Sequence, residues 1–122
     1  MATPKQKFAT TDIDFDAVIV APDGNPLKEM DPDSRENPPK MIEVTLKAVC
    51  YAALMGPNPK QELTGSVEGM LKVAQLAHHI MSGQVSSLTT EQRKLILDRM
   101  LRFPPSYVWG VVRLIDPAAI PA

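Results

Sequence analysis

The chain has 122 residues, a net charge of −1, a single cysteine, 44% apolar residues and 22% charged ones. This is the size and balance of one globular domain that buries a single core without staples. It excludes an internal disulfide and a strong overall electrostatic pull toward nucleic acid, and no apolar run reaches the ~18 residues that a bilayer span needs.

Residues 1–11 (MATPKQKFATT) have no hydrophobic period and no apolar core of a secretory signal, and they are expected to form a loose tail. Ile13 to Val20 alternates, with Ile13, Phe15, Ala17 and Ile19 on one face, which predicts a strand. Asp23-Gly24-Asn25, between Pro22 and Pro26, supplies turn residues, and Leu27 to Met30 is expected to return as a second strand. Residues 31–40 (DPDSRENPPK) hold three prolines and no large apolar residue, so a flexible, protease-sensitive loop is expected. Met41 to Val44 suits a third short strand.

Thr45 stands as an N-cap, and Leu46, Val49, Cys50, Ala53 and Leu54 follow at helical spacing until Gly56-Pro57-Asn58-Pro59 stops the helix. A second helix is expected after Thr64, with Val67, Met70, Leu71, Ala74, Ala77 and Met81 on its buried face. Val73, Leu76 and Ile80 widen that face, and Gly83 ends it. Thr89-Thr90-Glu91-Gln92 reads as a capping box opening a third helix to about Arg102, with Leu95, Ile96, Met100 and Phe103 inward. Pro104-Pro105 breaks it. A fourth, nearly all-apolar helix from Pro105 to Ile115 precedes Asp116-Pro117. The expected fold class is α+β, mainly α: an N-terminal β-hairpin or small three-stranded sheet (12–44) packed on about four short helices (45–122), all one domain.

Charge is unevenly distributed. Residues 12–43 carry nine acids against three bases, and residues 44–122 carry five acids against eight bases. The plain reading is a solvated N-terminal region. The sharper one is an acidic arm, with Asp12, Asp14 and Asp16 at its head, that docks on a basic partner. Arg99 and Arg102 share a face of the third helix at i, i+3, which suits either solvent or phosphate. Tyr107 and Trp109 are aromatic types favoured both in small cores and in binding hot spots.

The residues that usually carry chemistry do not assemble into a pattern. The six glycines form neither G-x-G-x-x-G nor G-x-x-x-x-G-K-[ST]. Cys50, His78 and His79 are too few for zinc, and adjacent histidines point about 100° apart on a helix. Asp12, Asp14 and Asp16 match the first ligands of a calcium loop, but Ala17 replaces its glycine and Asp23 its closing glutamate. There is no G-x-S-x-G elbow, and the serines stand at caps and loops. No catalytic residue, cofactor or metal is expected, and the chain is read as a non-enzyme.

Several short words recur in a known setting: D-G-N-P-L (Asp23 to Leu27), V-T-L-x-x-V-x-x-x-A-L (Val44 to Leu54), K-V-A-Q-L-A (Lys72 to Ala77), L-T-T-E-Q-x-x-L-I (Leu88 to Ile96), and a Pro-led helix closing on L-I-D (Leu114 to Asp116). Over residues 13–116 the chain resembles a diffuse group of small proteins of tailed bacteriophages and prophages, mostly without assigned function. The resemblance implies a phage-type origin and an accessory role. The small size, the absence of a catalytic pattern and the acidic hairpin beside a basic helical body then lead to the expectation of a protein that binds another protein, such as a host factor, in the host bacterial cytoplasm. The alternative it leaves open is a virion morphogenesis component, a head–tail or tail-assembly factor, which would self-associate and reside in the virion. A DNA-binding regulator is a third class, disfavoured because the Arg102-Phe103-Pro104-Pro105 junction fits the usual helix-turn-helix turn poorly.

Overall fold

The computed structural model describes residues 12–56 and 66–120. The segment at Ile13–Val20 differs from the predicted strand. Asp14 accepts the backbone N–H of Asp16 on its side chain (3.0 Å) and that of Ala17 on its carbonyl (3.1 Å). This Asx turn diverts the backbone from a ladder. Only Val18 and Val20 keep strand-like pairing, as single bridges to Thr45 and Pro26. The inward alternation survives in part, with Phe15 and Ile19 in the core.

The Asp23-Gly24-Asn25 turn forms as expected. Gly24 adopts φ +88°, and Asp23 accepts from the Asn25 N–H. Strands β1 (Lys28–Met30) and β2 (Met41–Glu43) then pair antiparallel, with Glu29 opposite Ile42. The three segments meet in a closed triangle: Ile19 N–H donates to Val44 (2.9 Å), Val44 N–H to Leu27 (3.0 Å) and Leu27 N–H to Ile19 (3.0 Å). Loop 31–40 is tied down locally, because Ser34 Oγ accepts from the N–H groups of Glu36 and Lys40. Every residue of β1 and β2 is exposed, so this hairpin projects as an arm.

Four α-helices follow among the described residues: α1 (Leu46–Met55), α2 (Val67–Met81), α3 (Thr90–Arg99) and α4 (Pro105–Ile115). The chain is therefore α+β and mainly helical, with a two-stranded antiparallel sheet near its start. Thr45 occupies the N-cap of α1 but makes no side-chain cap bond. Its place is taken by the turn before it: Leu46 N–H donates to the Ala17 carbonyl and Lys47 N–H to that of Phe15, both at 2.9 Å. Ser66 caps α2 by accepting from the Gly69 N–H (3.0 Å); Thr64 and Pro57–Pro59, named from sequence as cap and stop signals, lie outside the described residues, as does the tail 1–11.

Gly83 at φ +80° ends α2, with Gln84 N–H donating to the His79 carbonyl in a Schellman closure. The reciprocal Thr89–Gln92 box opens α3. A short 3-10 turn (Met100–Arg102) replaces the last predicted turn of α3. The core is contributed by every element except the arm. Ile19, Leu46, Leu54, Ile80, Ile96, Met100 and Val111 are its largest fully buried side chains, and Cys50 joins them as a small apolar filler whose thiol burial pushes up to about 12.

Candidate interaction surfaces

Of the charged residues singled out from sequence, Asp14, Asp16, Arg99 and Arg102 fall at the two ends of α1, a helix about 15 Å long by its ten residues. Asp12, Asp14 and Asp16 are exposed. Asp14 and Asp16 lie in the turn that satisfies the α1 N-terminus, and Asp16 takes an ion pair from Lys47 Nζ at 2.7 Å. Negative charge at a helix N-terminus is electrostatically favoured.

Arg99 and Arg102 occupy the other end. Arg99, only 9% exposed, donates from Nε to the Ala53 carbonyl (3.2 Å) and from its terminal nitrogen to the carbonyls of Leu54 (2.9 Å) and Gly56 (3.3 Å). Arg102 donates to the carbonyls of Ala52 (3.0 Å) and Arg99 (2.9 Å) and lies 5.1 Å from the Phe103 ring centre. The open carbonyls at the end of α1 thus receive the Arg99 fork, and Arg102 adds a second donor to the Ala52 carbonyl, which already accepts from the Gly56 N–H (2.9 Å). Gly56 completes the arrangement, because a Cβ there would run into the Arg102 guanidinium. The expected solvent-facing arginine pair is, for Arg99, a buried cap.

Tyr107 and Trp109 diverge on α4. Tyr107 Oη donates to Glu29 Oε2 at 2.7 Å and so fastens the arm to the helices. Burial, then the bond to Glu29 and its negative charge, push the phenol up to about 12. The raised value means that the folded chain holds this proton more tightly than the unfolded chain does. The contact's contribution to stability is therefore present below about 10 and lost as the pH rises through about 12. Alkaline titration followed by phenolate absorbance should show a transition centred near 12 that Tyr107→Phe removes; a late transition persisting in that variant would assign it elsewhere. Trp109 lines a groove of about 510 Å³ with Leu101, Phe103, Pro105, Val108, Val112, Ala119 and Ile120, and its buried Nε1–H has no acceptor among the described residues.

Most of the apolar face expected to be buried on α2 is turned outward. Val67 is 74% exposed, Leu71 65% and Met70 49%, and Met81 is also exposed. The core contact is made by Val73, Leu76 and Ile80, the set read as a mere widening, together with Ala77, the one residue of the expected face that is fully buried. The helix therefore carries two apolar faces, separated on one side by Glu68, Lys72, Gln75 and His79. The outer face of α1 is likewise apolar, with Ala48, Tyr51, Ala52 and Met55 exposed and Lys47 its one charged residue. The arm adds Met30, Met41 and Ile42. Five of the six methionines among the described residues are exposed; only Met100 is in the core.

Among the described residues no three His, Cys, Asp or Glu side chains converge as a metal site, and no helix is long and apolar enough to cross a membrane. Compared with protein-family models, with curated proteins and with solved structures, the chain matches none of them.

Proposed function

We propose that the chain is a non-enzymatic accessory protein of a tailed phage or prophage that acts by binding another protein. One observation carries this reading: large apolar side chains, methionines foremost, stand outward on α2, on α1 and on the arm. Exposed apolar groups in such number mark contact surfaces, and methionine adapts its three flexible bonds to partners of differing shape. The phage setting rests on the short sequence words quoted above.

A second reading, a virion assembly component, draws support from the arm. A projecting hairpin with open edges and exposed Met30, Met41 and Ile42 suits strand addition between neighbours. A DNA-binding role is less well supported, because Arg99 and Arg102 are occupied with α1 carbonyls.

The test is affinity capture by the tagged full chain from lysate of a lysogenic or infected host, run beside the variants Tyr51→Glu and Ile42→Glu. The binding reading expects a defined polypeptide that one of these exposed substitutions removes. Failure to recover any reproducible partner would sink it. Mass spectrometry of purified virions separates the two readings, since an assembly component travels with the particle and a host-directed factor does not.

A further inference from the structure

We propose that the outer face of α2 pairs with the same face of a second copy of this chain. The inference deepens the protein-binding reading, on which it rests, by naming the occupant of one surface.

The spacing favours a like helix. Val67, Met70, Leu71, Ala74 and Met81 recur at i, i+3, i+4, i+7 and i+14, with exposed His78 filling the gap at i+11. A seam of that period accepts another helix of the same period. Ala74 is at its midpoint. A two-fold axis through Ala74 sets Val67 of one copy against Met81 of the other, and Met70 against His78. The small alanine at the crossing lets the two backbones approach closely.

Electrostatics permits a self-complementary contact. An isologous interface brings each residue near its own copy at the axis, so a charged face repels itself. This face holds no Asp, Glu, Lys or Arg; Glu68 and Lys72 lie off it and pair with each other at 3.9 Å. The chain's net charge of −1 adds almost no repulsion between copies.

Size sets the strength. The exposures of Val67, Met70, Leu71 and Met81 amount to an apolar patch on the order of 400 Å², at the level of the largest patch of an ordinary monomer. Stable complexes bury about 800 Å² per partner. The pairing is therefore a reversible dimer that forms with concentration, not an obligate one.

Sedimentation velocity of the full chain, from a few micromolar to several hundred micromolar, tests this. The wild type should move reversibly from monomer to dimer. Ala74→Glu and Ala74→Lys should each weaken the dimer at least tenfold, and an equal mixture should restore it, because opposite charges then meet at the axis. Circular dichroism checks that each variant keeps its helices. If the half-buried position 74 does not tolerate charge, Leu71→Gln at an exposed position should give the same weakening. A wild-type monomer throughout the range would overturn the second copy as occupant while leaving capture of a foreign partner intact. A dimer indifferent to Ala74→Glu and Leu71→Gln would overturn the face.

Discussion

Replacing Arg99 by alanine should lower the thermal midpoint by on the order of 10 °C, corresponding to a loss of about 3 kcal/mol. The guanidinium reaches three carbonyls at the end of α1, at Ala53, Leu54 and Gly56, from a position 9% exposed. Hydrogen bonds from a charged donor are each worth more than neutral ones, and truncation leaves buried acceptors with no partner. It also removes the positive charge that faces the negative end of the helix dipole. Arg99→Lys should recover part of the loss, because an ammonium keeps the charge but cannot span the same three oxygens. Thermal unfolding monitored by circular dichroism measures both. An Arg99→Ala midpoint within a degree or two of the wild type would contradict the capping role.

The second large effect is expected at Gly110. There α4 crosses the segment 18–20 so closely that a Cβ on Gly110 would lie 3.0 Å from Ile19 Cβ and 3.1 Å from the Val20 carbonyl oxygen. Gly110→Ala should be nearly neutral, because this crowding is offset by the roughly 1 kcal/mol that alanine adds over glycine in a helix. Gly110→Leu has no such escape. Its side chain must displace Ile19, which is fully buried beside the three-segment triangle, at a cost of roughly 3 kcal/mol. Urea denaturation should show the leucine variant's midpoint far below that of the alanine variant, at similar slope. Equal midpoints would mean that α4 does not lie on that segment.

Much of the helical layout is legible in the sequence because its signals are local. The Thr89–Gln92 box, Gly83 after α2, and Pro105 opening α4 each act on the nearest turn of backbone, and each is found in its predicted place. The strand predicted at Ile13–Val20 does not form, for a matching reason. Its alternation is real, but Asp14 accepts the N–H groups of Asp16 and Ala17, and a period alone does not register that competition.

The direction in which an element faces is a tertiary property. On α2 two apolar stripes compete, and nothing within the helix states which one meets α1; the stripe with the longer run of spacing matches is, apart from Ala77, the one turned outward. The bond between Tyr107 and Glu29 joins residues 78 positions apart and has no sequence signal at all. Arg99 did carry one. It falls on the stripe of Ile96 and Met100, where an arginine must be paired with something, and the unfilled carbonyls of a helix ending in Gly56 are a fitting partner.

The same geometry recasts the candidate site. The acids and arginines that looked like a binding surface are partly engaged at the two ends of α1, while the residues that looked like core face outward. If those outward residues are a contact surface, a photo-reactive phenylalanine analogue at position 71 should report it directly. Irradiation of cells producing the full chain should yield a discrete polypeptide adduct from position 71 and none from position 94, an exposed site on the polar side of α3. Adducts of equal yield from both positions, or none from position 71, would contradict the reading of α2 as a docking face.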